Sequence, residues 1–278
     1  MMTLLNIEQV KNKNILDAFL SLFRPYSIET ELKENDDASV LSITYLQRRG
    51  TVRFNKIYEH CIGRRKTILC DEKLNLFNTH FKRFNSLTFK KRLLENYICS
   101  ILDSADFPPS ELEISYYDPK AESPSFAEKL LKYTSRLTVV SNMPRFYENE
   151  AERLAEKYGA SMLVSNSVEK LVPCSILIAP TIIKESLPTV SSSLIFTLKR
   201  PPIPVSGNII TDYTAALPEK YAALKPDFVD DIYFMSGLYS LCSAYELGEI
   251  IPTGCGNQFD EFTNESMIRQ IKILSQKN

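Results

Sequence analysis

The stretch LEISYYDPKAESPSFAEKLLKYTSRLTVVSNMPRFYENEAERLAEKYGASMLVSNSVEKLVPCSILIAPT, Leu112 to Thr181, decides the fold class. Four short apolar runs stand out in it: LEISYY (112–117), LTVVS (137–141), SMLVS (161–165) and SILIA (175–179). Each is the length of a strand and too short for a core helix. Between the first three lie segments with helical periodicity, 125–133 and 147–158. The second is well signalled: Glu148, Glu150 and Glu152 suit the positive end of a helix dipole, Ala151, Leu154, Ala155 and Tyr158 form one apolar stripe, and Gly159 supplies a left-handed stop. Strands separated by helices of about three turns pair in parallel, because each helix returns the chain to the same end of the sheet. SLIFTL (193–198) adds a further strand. The expected class is α/β, with a doubly wound parallel sheet.

Before this region, Phe107-Pro108-Pro109-Ser110 breaks the chain, since neither proline continues a helix. The preceding part reads as an α+β domain. Ile7 to Phe23 places Ile7, Val10, Ile15, Phe19 and Leu22 near one helical face, and Pro25 ends it. Ser39 to Leu46 is a strand, Thr51 to Phe54 and Thr67 to Cys70 are shorter ones, and Leu87 to Leu102 is an amphipathic helix. After the sheet region, Lys199 to Pro204 (KRPPIP) is a stiff linker and Ser206-Gly207-Asn208 a turn. Phe228 to Leu247 is apolar on most sides and is expected as a long buried helix closed by Gly248, with Asp230-Asp231 at its start. A last helix, Glu265 to Leu274, takes Asn264 as its cap. The expected domains are residues 1–108, 109–200 and 201–278, the last a helical extension packing across the other two.

The turn after the first strand of the sheet is where a dinucleotide's phosphates would lie. A glycine is needed there because a Cβ blocks the backbone from the pyrophosphate. The turn is Tyr117-Asp118-Pro119-Lys120-Ala121-Glu122-Ser123-Pro124-Ser125 and holds none. Asp118 and Glu122 would face a diphosphate, and two prolines remove N–H donors. Ser123 and Ser125 suit either the cap of the next helix or a small anion.

The residues that follow resemble the nicotinamide-binding domain of shikimate dehydrogenases and glutamyl-tRNA reductases. The likeness rests on Asn142-x-x-Arg145 after the second strand, on AERLAEKYGA (151–160) in the helix, and on Ala179-Pro180-Thr181 after a later strand. It implies a Rossmann-like doubly wound parallel sheet with an N-terminal α+β domain. It also implies that Asn142 and Arg145 lie where NADP-dependent members meet the adenosine ribose and its 2′-phosphate, and Thr181 near the nicotinamide. The likeness extends to Gly237-Leu238-Tyr239, where the family has a helix returning to the substrate domain. Against it, the glycine turn is lost. Nothing in residues 1–105 reproduces the Lys and Asp pair of shikimate dehydrogenases, and no Cys or His context matches the reductase nucleophile.

Composition bounds the function. Hydrophobic residues at 44% and charged residues at 24% are ordinary for a globular chain, and no apolar run is long enough to span a bilayer. The start lacks the pattern of a secretion signal, so a cytoplasmic protein is expected, with no membrane partner. Six cysteines without a CxxC pair read as reduced core residues, and with only His60 and His80 no zinc site is expected. Gly254-Cys255-Gly256, after Pro252, is a candidate exposed thiol. Charge is uneven: Leu41 to Ser100 carries 13 Lys and Arg against 4 Asp and Glu, the rest 20 against 30. That asymmetry suits a polyanion or an acidic partner. The first expectation is therefore a Rossmann-like module without a cofactor, binding a small molecule in an interdomain cleft or a protein partner. The alternatives are an oxidoreductase holding NADP through an atypical loop, and a nucleic-acid-binding protein using Arg48 to Arg92. No catalytic residue is singled out.

Overall fold

The computed structural model describes residues 1–10, 22–64, 66–158, 161–171, 174–244 and 250–276. The chain divides into two compact units, Met1–Phe89 with Ala216–Glu249, and Lys90–Ala215 with Ile250–Asn278. Each unit is thus built from two separate pieces of chain.

The first unit opens with β1 (Met2–Gln9), β2 (Tyr26–Glu34), β3 (Ser39–Gln47), α1 (Phe54–Glu59), β4 (Thr67–Cys70) and β5 (Lys82–Arg83). They form a sheet in the order β2-β3-β1-β4-β5, parallel except for β2, which runs antiparallel along all of β3. Met2 to Gln9 is a strand and takes in Ile7 to Gln9, where a helix was expected to start: Met2, Thr3, Leu4 and Leu5 are all buried, as a central parallel strand requires. The rest of the helix expected over Ile7 to Phe23 falls mostly outside the described residues. Leu5, Leu41, Ile43 and Tyr45 pack on one face with Ile57 of α1 and Phe81. Phe54, expected at the end of a short strand, begins α1 instead.

α2 (Leu87–Ala105) carries the chain into the second unit. The division falls inside this helix and not at Pro108-Pro109, because those prolines open only a single 3₁₀ turn, Pro109–Glu111, leading into the next strand. There follow β6 (Glu113–Tyr117), α3 (Pro124–Leu130), β7 (Arg136–Val140), α4 (Arg145–Tyr158), β8 (Ser161–Ser165), β9 (Ile176–Ala179), β10 (Leu194–Thr197) and β11 (Asn208–Ile210). All six strands are parallel, in the order β11-β10-β9-β6-β7-β8. Numbered within the sheet this is 3-2-1-4-5-6, the doubly wound order of dinucleotide folds. The expected Rossmann-like parallel sheet is present, and β11 adds a sixth strand where only a turn was anticipated.

Alternate residues along each strand face opposite sides. Tyr116 on one side meets Phe126 of α3 and Tyr147 of α4. Tyr117, Leu177, Ala179 and Ile195 on the other are covered by Leu171, Ile183 and Leu187. Those three lie outside the α-helices, so the second half of the winding keeps its crossovers without the usual helices.

β12 (Asp212–Ala215) completes this piece of the second unit. The chain then contributes α5 (Glu219–Ala222) and α6 (Asp231–Gly237) to the first unit. The long helix expected over 228–247 is interrupted: α6 passes into a π turn, Leu238–Cys242, that ends at Ser243 with φ 52°. Its remainder, with Gly248, lies outside the described residues. Asp230 caps α6 by accepting the Tyr233 N–H at 2.8 Å. Returning to the second unit, β13 (Pro252–Gly256) and β14 (Glu261–Thr263) join β12 in a three-stranded antiparallel sheet. α7 (Asn264–Ser275) closes the chain, capped by the Thr263 hydroxyl and not by Asn264. Residues 201–278 therefore do not form one helical extension. No described helix is long and apolar enough to cross a membrane.

Candidate functional site

In an open parallel sheet the ligand crevice lies beyond the carboxyl ends of the strands, where the winding reverses. Here that point is between β6 and β9. The turns that reach it are 118–123 after β6, 141–144 after β7 and 180–181 after β9, so the topology gathers Ser123, Asn142, Arg145 and Thr181 at one end of the sheet.

The turn after β6 is fixed by its own carboxylate. Asp118 is 2% exposed, and its Oδ2 accepts the Ser123 N–H at 2.9 Å and the Tyr147 hydroxyl at 2.7 Å, with the Tyr116 hydroxyl further off at 3.5 Å. Burial, and then the Asp118 charge, push both phenols far above their ordinary range, so they stay protonated donors. The backbone is tied to β7 as well: Asp118 N–H donates to Val140 O, and Asn142 N–H to Pro119 O at 3.1 Å. Ala121 has φ 50°, so a non-glycine residue holds a left-handed conformation inside the turn that lacks glycine.

Two expectations need correction here. Asp118 and Glu122 do not both confront a diphosphate. Asp118 is turned inward to Tyr147, and Glu122 is paired with Lys91 at 3.0 Å and Lys120 at 3.8 Å. Ser123 occupies the N-cap position of α3 but makes no side-chain cap bond; its backbone N–H is the group engaged, by Asp118. Ser125 is solvent-exposed in the first turn of α3. Asn142 and Arg145 are exposed, and Arg145 opens α4 without an ion pair among the described residues. Thr181 is half-buried, and its carbonyl accepts the Thr197 hydroxyl at 2.8 Å.

Sequence reasoning passed over Glu185. It lies beyond β9 and accepts the Tyr117 hydroxyl at 3.3 Å, and burial followed by its charge pushes that phenol up to about 12.

Cys255, a candidate exposed thiol in sequence, is buried in β13. Its sulfur accepts the Tyr97 hydroxyl at 3.1 Å, and burial pushes the thiol up to about 11. All six cysteines are free thiols, and no cluster of potential metal ligands occurs among the described residues.

No family model matches the chain, and no curated protein matches it. Solved structures do. One is Delta(1)-pyrroline-2-carboxylate reductase of Thermococcus litoralis in complex with NADH and L-proline, at 13% identity and TM-score 0.29, covering 40% of this chain and 36% of that one. L-tryptophan dehydrogenase of Nostoc punctiforme matches at 9% identity and TM-score 0.33, covering 99% and 79%. A shikimate dehydrogenase in complex with NADP+ matches at 13% identity and TM-score 0.30, covering 64% and 61%. The chain spans less than two thirds of the first and third of these. Such likeness concerns the fold alone. Two of these structures nevertheless hold nicotinamide dinucleotides, and on that finding the expectation of a module without a cofactor is withdrawn.

Proposed function

We propose that the second unit binds a nicotinamide dinucleotide and that the chain is an NAD(P)-dependent oxidoreductase of the shikimate dehydrogenase type with an atypical phosphate turn. The observation that carries this reading is the strand order β11-β10-β9-β6-β7-β8, all parallel, with its reversal between β6 and β9. Asn142 and Arg145, exposed beyond β7, suit the adenosine ribose and a 2′-phosphate. Thr181, beyond β9, suits the nicotinamide end. The fit along the diphosphate is partial: the Ser123 N–H is committed to Asp118, while the inward Asp118 and the paired Glu122 leave less uncompensated negative charge than the bare sequence suggests. The dinucleotide would supply or accept a hydride; the chain's part is to position it. The six free thiols support a reducing, cytoplasmic setting.

Fluorescence titration with NADPH and NADH tests the reading. Saturable binding on the order of 0.1 mM or tighter is expected, weakened about tenfold for NADPH and less for NADH by Arg145→Ala. Absence of saturation by either nucleotide up to about 1 mM overturns it.

A further inference from the structure

The first unit contains a cavity that the nicotinamide reading does not use. It has a volume of about 590 Å³, within the range of small-molecule sites. It lies over the face of the β1-β3-β2 sheet opposite the apolar core, beside the segment that enters α6.

The strand register builds its floor. Asn6 of β1 stands beside Thr44 of β3, which stands beside Glu29 of β2; one step along, Ser42 stands beside Glu31. Side-chain alternation puts these residues on one face together with Glu8. The middle of the floor is hydroxylic, Ser42 and Thr44. Ser42 is 7% exposed, lines the cavity, and has no side-chain hydrogen-bond partner among the described residues. The flanks are acidic, with Glu8 on one side and Glu29 and Glu31 on the other. Pro226 and Phe228 add an apolar wall, and Asp227 a further carboxylate between them.

The charges decide which ligand fits. Two lysines also line the cavity, but each is already engaged: Lys33 with Glu31 at 3.7 Å, and Lys225 with Asp231 at 3.0 Å. Glu8 accepts the Asn6 amide at 2.6 Å, while Glu29 and Asp227 have no ion pair among the described residues. Carboxylates can only accept, so an occupant must bring N–H or O–H donors and positive charge. Glu8 and Glu29 lie on strands two apart and, because Glu29 is in register with Asn6, two residues apart along them, roughly 12 Å at the usual strand geometry. That is a span for two cationic ends joined by a methylene chain, which would cross the hydroxyl floor and rest on Phe228.

We infer that this cavity is a binding site for an aliphatic diamine or polyamine, held by Glu8 and Glu29 at its two ends, with Asp227 closing over it. The inference stands on the first unit alone and is independent of the nucleotide reading.

Calorimetric titration of the full chain with spermidine and putrescine at low salt tests it. One-to-one binding with Kd on the order of 0.1 to 1 mM is expected. The double variant Glu29→Gln/Asp227→Asn should weaken it at least about tenfold, while Glu261→Gln, an exposed acid in the other unit, should leave it unchanged. Glu29 and Asp227 are both exposed, so the variants should fold, which far-UV circular dichroism checks; Glu8→Gln alone provides a second test at the opposite end of the cavity. Lack of saturable binding by about 10 mM, equal binding by the double variant, or stronger binding of magnesium or myo-inositol than of spermidine each overturns the assignment.

Discussion

The Tyr147 hydroxyl donates to the carboxylate of Asp118 across 2.7 Å, and the same oxygen accepts the Ser123 N–H. One buried carboxylate thus joins the start of α4 to the turn after β6 and takes up an N–H that a bound phosphate could otherwise engage. Its removal should be felt in stability. Tyr147→Phe deletes one bond and should cost about 1 to 2 kcal/mol. Asp118→Ala strands two buried donors and should cost more, about 2 to 5 kcal/mol. Urea denaturation measures both, and an Asp118→Ala variant no less stable than Tyr147→Phe would contradict the assigned network.

The sheet of the second unit was legible because its strands are short, apolar and separated by turn or helix signals; the boundaries of β6 to β10 fall within about two residues of those read from sequence. The helix expected from Ile7 overruns the end of β1 because Ile7 and Val10 suit a helical stripe as well as an extended chain, and only the pairing of Ile7, Glu8 and Gln9 with β3 decides between them. β2 carried a period-two signal, Tyr26, Ile28, Thr30 and Leu32 against Ser27, Glu29, Glu31 and Lys33, that the apparent helix before it obscured. At the site, the missing glycine was plain. The direction of Asp118 was not, because it depends on Tyr147, which lies 29 residues away in sequence.

Gly207 should prove indispensable to the sixth strand. It holds φ 124°, and a Cβ built on it would lie 2.7 Å from the Ser193 carbonyl oxygen, a backbone atom that cannot yield cheaply. The next residue's N–H bonds that same carbonyl at 2.8 Å, so the close approach is what seats β11 on β10. Gly207→Ala should cost more than about 2 kcal/mol, through strained φ and the contact together. Hydrogen exchange should speed up first at Ile209 and Ile210. A variant with wild-type exchange there would refute the packing.

Acid should weaken the first unit through Asp37. Hydrogen bonds from Lys220, at 2.8 Å, and from Tyr221, at 3.1 Å, hold its carboxyl below the usual carboxylate range. A lowered folded pKa means the unfolded chain takes up the proton first. The contribution is therefore complete above the unfolded value, near pH 4, and is lost as pH falls through the folded one. Asp37→Asn should flatten the stability profile below about pH 4 and leave its shape at pH 7 to 8 unaltered. A thermal-melt series across that window checks the sign. A profile for Asp37→Asn as steep in acid as the wild type would remove Asp37 from the account.

Cys255 should be the slowest of the accessible-looking thiols to react, for two separable reasons. Its thiol is pushed up to about 11 by burial, so at pH 8 roughly one molecule in a thousand carries the thiolate that attacks an alkylating agent. It is also 4% exposed, packed against Tyr97 where β13 lies between β12 and β14, so the reagent must wait for that sheet to open. Cys242, half-buried in the π turn of the first unit, lacks the enclosing strands and should be modified first. Timed iodoacetamide labelling followed by peptide mass mapping distinguishes the causes. Raising the pH by one unit should speed Cys255 about tenfold if ionisation limits the rate, whereas low urea should speed it if opening limits it. Labelling of Cys255 as fast as Cys242 in the native protein would mean that β13 is not enclosed between its two neighbours.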